Sequence, residues 1–103
     1  KDAIASFGLV IRRNPDFALA FHGRGRSYYH EDLYEAALED FTRAIELDEE
    51  FARSYKYRGM TYQKLEDKER AIADLEKALT LYTRSRDAQH RIDIRGLLDE
   101  LEQ

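Results

Sequence analysis

The sequence predicts an all-α fold, a solenoid of antiparallel helical hairpins with about six helices. Three observations predict it. Gly25 and Gly59, Tyr28 and Tyr62, and Ala37 and Ala71 recur in pairs 34 positions apart, the period of a helix–turn–helix repeat. Bulky and small apolar residues follow helical rather than alternating spacing. No low-complexity stretch or linker divides the 103 residues, and the one proline, Pro15, sits in the turn sequence Asn14-Pro15-Asp16.

Taken in order, the elements are expected at roughly 2–13, 17–30, 33–47, 51–64, 67–81 and 86–102, joined by short polar turns. Residues 1–15 read as the second half of an earlier unit, because Ala3, Phe7 and Ile11 precede Ala37, Phe41 and Ile45 by the same 34 positions. Residues 18–51 and 52–85 form two full repeats without any shift: Ala18 matches Ala52, Arg24 Arg58, Glu35 Glu69, Asp40 Asp74, Ala44 Ala78 and Leu47 Leu81. A glycine inside a helix costs about 1 kcal/mol relative to alanine, so Gly25 and Gly59 at equivalent positions predict a close crossing of two helices. Residues 86–103 place Ile94, Leu97, Leu98 and Leu101 on one face among Asp93, Asp99, Glu100 and Glu102. That pattern predicts a polar-backed helix capping the last repeat.

The repeated residues resemble the tetratricopeptide repeat, whose pattern is an aromatic residue, then Leu-Gly-x2-Tyr, then Ala-x3-Phe and a closing Pro. Here it reads Phe21-x2-Arg24-Gly25-x2-Tyr28 with Ala37-x3-Phe41, then Tyr55-x2-Arg58-Gly59-x2-Tyr62 with Ala71-x3-Leu75. The resemblance covers residues 1–85 and implies a right-handed superhelix. Two departures stand out. Arginine replaces leucine before both glycines, and the closing proline survives only as Pro15. Arg24 and Asp40, like Arg58 and Asp74, are 16 residues apart. An ion pair between the two helices of each hairpin is therefore expected in place of the family's apolar contact, since a half-buried guanidinium needs its acid.

Charge is sorted between the helices. Segments 17–30 and 51–64 hold Arg24, Arg26, Arg53, Lys56, Arg58 and Lys64 and no acid, whereas 31–50 holds nine acids and only Arg43 as a base. In the family the first helix of each hairpin lines a concave groove. The resemblance thus implies a basic groove on a protein of net charge −4. It places His22, Gly23, Arg26, Tyr29 and His30 there from the first repeat, and Arg53, Lys56, Tyr57, Met60, Gln63 and Lys64 from the second. Continuing the period adds His90 and Arg91. Cations, rings and a methionine suit an acidic peptide or a terminal carboxylate, so the expected function is a scaffold or adaptor that binds a protein or peptide. The family's chaperone-tail clamp is echoed by Arg53 and Lys56, but its asparagines are replaced by Gly23 and Arg26. The plainer alternative is that those charges merely solvate an idle face.

Other classes find less support. His22 and His30 stand eight residues apart, about 12 Å along a helix, too far to share a metal. No metal or other cofactor is expected. The chain has no cysteine, no Gly-rich phosphate loop and no nucleophile–base–acid set, which argues against an enzyme. Nucleic acid is disfavoured by the acidic total and a pI of about 5.4. Neither a membrane span nor a signal-peptide pattern is present, so the expected compartment is the cytoplasm. A purely structural module is the alternative to a peptide reader. Ile4, Phe7, Val10 and Ile11 form an apolar face without its usual first helix, so self-association or further chain is expected to cover it.

Overall fold

The computed structural model describes residues 2–103; Lys1, with which the expected partial unit opens, lies outside the described residues. Six helices follow one another: α1 (Asp2–Arg13), α2 (Ala18–His30), α3 (Tyr34–Leu47), α4 (Ala52–Lys64), α5 (Lys68–Arg84) and α6 (Ala88–Glu102). Each packs on the next in chain order. The most extensive contacts lie within the α2/α3 and α4/α5 hairpins, so the chain forms an all-α solenoid.

Glycine sets the hairpin crossings. A Cβ on Gly25 would stand 2.8 Å from Phe41, and one on Gly59 would stand 2.9 Å from Leu75. Both are too close for any other residue, which lets Phe41 and Leu75 reach 0% exposure. Small residues Ala37, Ala44, Ala71 and Ala78, also fully buried, allow the same approach. Farther along, Leu75, Ala78 and Tyr82 of α5 form one apolar cluster with Ile94 and Leu98 of α6.

Both expected ion pairs are present with one geometry. Arg24 donates from Nε and Nη2 to the carboxylate of Asp40 at 2.8 and 2.9 Å. Arg58 does the same to Asp74 at 2.7 and 2.8 Å. Each guanidinium lies between two rings, Arg24 at 5.8 Å from Phe21 and from Tyr28, Arg58 at 5.8 Å from Tyr55 and 6.0 Å from Tyr62. Bidentate hydrogen bonding together with ring contact is the arrangement for which arginine is better suited than lysine.

Hairpin turns repeat as well. The N–H of Leu33 donates to the Tyr28 carbonyl and that of Asp67 to the Tyr62 carbonyl, both at 2.9 Å. Asp32 and Glu66 adopt left-handed backbone at φ 62° and 63°. This motif satisfies carbonyls that a helix end would otherwise leave open. Asp67 then caps α5 by accepting the Arg70 N–H at 3.2 Å.

One pair of expected helix boundaries requires correction. α5 runs to Arg84, one turn past its expected end at 81, and reverses through Arg86 at φ 62°. α6 consequently starts at Ala88 rather than 86, and the 34-residue period stops there. Burial shows the new offset. Thr61 and Leu98, 37 positions apart, are both buried, whereas Arg95, 34 after Thr61, is exposed. The expected apolar face of α1 is partly covered by α2. Ile4, Phe7 and Ile11 are half-buried, with Phe7 against Gly23 of α2. Of that apolar face only Val10, at 38% exposure, points away.

Candidate peptide-binding groove

α2 and α4 lie side by side, each contacting the other directly as well as through α3. On α4, Arg53, Lys56, Tyr57, Met60 and Lys64 fall at i, i+3, i+4, i+7 and i+11, one face of a helix. Arg53 and Lys64 are exposed there, while Lys56, Tyr57 and Met60 are half-exposed. Tyr57 links this face to α2. Its ring meets Tyr29 edge-on at 6.0 Å and carries the Arg26 guanidinium at 5.2 Å. Tyr29 in turn meets His30 edge-on at 5.5 Å, and burial raises the pKa of the Tyr29 hydroxyl. Arg26, Tyr29, His30 and Tyr57 therefore form a continuous surface. Lys56, Met60 and Lys64 extend the α4 side of this face by helical register.

His22 stands elsewhere than expected. At 1% exposure it cannot present its ring to a partner. Phe51 at 4.8 Å, Phe41 at 5.6 Å and Tyr57 at 5.6 Å enclose it. Its Nδ1 shares a hydrogen bond of 2.8 Å with the Ser54 hydroxyl, and its Nε2 has no partner among the described residues. Burial, then the nearby charges of Arg53 and Arg26, lower its pKa to about 4. The ring is thus neutral at ordinary pH and forms the floor between α2 and α4.

Where α5 meets α6, Tyr82 stacks on His90 with ring centres 4.4 Å apart. His90 is tied to Asp87 at 2.6 Å. Burial pushes the Tyr82 hydroxyl up to about 12, although the Arg53 charge works against it. The 37-residue offset puts His90 in the register of Arg53, and Arg91 in that of Ser54. The strict period had assigned them to those of Lys56 and Tyr57. Sequence reasoning also passed over Leu19. It precedes Arg53 by 34 positions and is 48% exposed, so the same register that flagged Arg53 could have found it.

Among the described residues, no three His, Asp or Glu side chains gather as a metal site would require. No helix there is long and apolar enough to cross a membrane. Fold and surface together define a helical-hairpin repeat array. The tetratricopeptide-repeat model matches residues 18–51 and 52–82, so the chain belongs to the tetratricopeptide-repeat family. Its fold is shared with the TPR2B domain of yeast Sti1, solved as a complex with pHsp70: TM-score 0.91, 20% identity, 96% of this chain and 79% of that one. The Yersinia enterocolitica translocator chaperone SycD superposes with a TM-score of 0.93 at 15% identity, covering 98% of this chain and 70% of that one. PcrH, solved with the chaperone binding region of PopD, gives 0.93 at 20% identity, covering 98% and 77%. No curated protein sequence matches this chain.

Proposed function

We propose that this chain is a protein–protein interaction module whose α2/α4 face binds an acidic peptide segment of a partner. The observation that carries the reading is the sorted charge: α2 and α4 hold Arg26, Arg53, Lys56 and Lys64 at groove positions and no acid. Arg26, Tyr29 and Tyr57 bridge the two helices into one surface. Arg53, Lys56 and Lys64 extend it along α4 with Met60 between them. Arginine over tyrosine offers a carboxylate two donors while the ring covers the apolar part of the same segment. Family membership supports interaction with protein, and two of the similar structures, from Sti1 and PcrH, are complexes with a partner.

The test is titration of the chain with a short synthetic Glu/Asp-rich peptide. Affinity should fall as salt rises, because half-exposed charges are screened within about 8 Å at physiological ionic strength. Lys56→Glu should weaken binding several-fold. Arg43→Glu should not, since Arg43 lies on α3 and pairs with Glu46 at 3.4 Å. Equal losses from the two reversals would show that net charge, not this surface, attracts the peptide.

A second reading, self-association, is supported by the N-terminal end. Val10, Phe17 and Leu19 are 38%, 40% and 48% exposed. Of their counterparts one repeat later, Ala44, Phe51 and Arg53, Ala44 is fully buried, Phe51 packs on His22 of α2 and Arg53 lies near the same ring. The first three residues thus border a place where a helix would sit.

A further inference from the structure

The dipeptide Arg-Gly occurs three times: Arg24-Gly25 in α2, Arg58-Gly59 in α4 and Arg95-Gly96 in α6. The last two are 37 positions apart, the offset that the extra turn of α5 imposes. In α2 and α4 the site is filled by the following helix. Its Phe41 or Leu75 closes on the glycine, and its Asp40 or Asp74 takes both donors of the arginine. In α6 the same site is open. A Cβ on Gly96 would meet nothing within 4 Å, and Arg95 is exposed without an ion pair among the described residues. Ile92, which stands where Phe21 and Tyr55 stand in α2 and α4, is 63% exposed. Arg95 also borders a cleft of about 210 Å³ with Leu79, Leu98, Asp99 and Glu102.

The opposite end carries the complement. Ala3, Ser6, Phe7 and Val10 precede Ala37, Asp40, Phe41 and Ala44 by 34 positions. The latter four are at most 4% exposed because α2 and α4 cover them. Ala3, Ser6 and Val10 are exposed and Phe7 only half-buried. Phe41 shows that one ring can serve two helices, since it closes on Gly25 and also lies 5.8 Å from Tyr57. Phe7 already packs on Gly23 of α2 and is still only half-buried.

We propose that α6 of one molecule docks antiparallel on α1 of a second copy, head to tail. The two filled hairpins are the template. Gly96 receives Phe7, Ile92 meets Val10, and Arg95 faces Ser6. The proposal rests on the self-association reading and names its mate. Because the two surfaces differ, the contact is heterologous, and copies add in an open row rather than closing as a dimer. Ser6 supplies a neutral hydroxyl where Asp40 and Asp74 supply a carboxylate, so the joint is weaker than the hairpins it imitates.

Sedimentation velocity over a concentration series tests this. The chain should show rising mass beyond a dimer. Val10→Glu and Gly96→Leu, both at exposed positions that leave each molecule folded, should each sediment as monomer. Their equimolar mixture should form a dimer and stop there, because it has one intact joint. Ser6→Asp, which gives Arg95 its carboxylate, should tighten association roughly tenfold. Self-association of Gly96→Leu alone would leave the broader reading standing and overturn the head-to-tail joint. Monomers at every concentration, with Ser6→Asp included, would overturn both.

Discussion

Burial of His22 couples stability to pH in a defined window. Its folded pKa, about 4, lies below the ordinary 6.5, so the folded state disfavours the proton that the unfolded chain accepts. The stability it contributes is complete above pH 6.5 and is lost as pH falls from there through about 4. The difference corresponds to about 3 kcal/mol at most. Replacement by Phe retains a ring among Phe41, Phe51 and Tyr57 and removes the titration. His22→Phe should therefore flatten the stability profile between pH 6.5 and 4, measured by urea denaturation at each pH. An unchanged slope would mean that another group sets it. The Arg–Asp pairs act at the same scale. Asp74 is 6% exposed and answers both donors of Arg58, so Asp74→Ala should cost about 3 kcal/mol by stranding a half-buried guanidinium. These pairs were legible in the sequence because their 16-residue separation repeats. His22 was not, because its register pointed to the groove and only the three-dimensional closure of Phe51 and Tyr57 over it decides burial.

Helices and turns explain which parts of the array could be read in advance. α1 to α4 begin and end within about a residue of expectation, since local turn chemistry and the periodic apolar face agree there. The α5–α6 joint departs from it. α5 gains a turn and reverses through left-handed Arg86, with the Asp87 N–H on the Tyr82 carbonyl at 3.0 Å. This is the turn used inside the hairpins, and it replaces the extended connection that precedes α2 and α4. A search restricted to 34-residue spacing could not find it, although Arg95-Gly96 carried the signal. Left-handed backbone at Glu66 also makes a prediction. Glycine adopts φ 63° without the steric cost that a side chain meets, so Glu66→Gly should raise stability by up to about 1 kcal/mol. Gly59→Ala should do the reverse, because its Cβ would meet Leu75 at 2.9 Å and the Ala71 carbonyl at 3.1 Å. Thermal unfolding of the two variants would compare them directly, and a gain from Gly59→Ala would contradict the close crossing.

Across the whole molecule, stability should vary along the axis rather than rise and fall as one unit. Each helix of a solenoid is supported only by its neighbours, so a terminal helix loses the half of its support that an internal one keeps. α1 has no buried residue, while α5 contributes six, Ala71, Asp74, Leu75, Ala78, Leu81 and Tyr82, and sits between α4 and α6. Local opening is cheapest where few apolar contacts must be broken. Amide hydrogen exchange should therefore proceed fastest in α1 and slowest in the α4/α5 hairpin, with α6 between them because Ile94 and Leu98 anchor it. The peptide-binding face straddles that gradient, with α2 nearer the labile end and α4 at the stable one. Occupation of the groove should consequently slow exchange more in α2 than in α4, since α2 has more opening to lose. Protection confined to α4 on binding of an acidic peptide would mean that the ligand contacts α4 alone, and would leave Arg26 and Tyr29 outside the site.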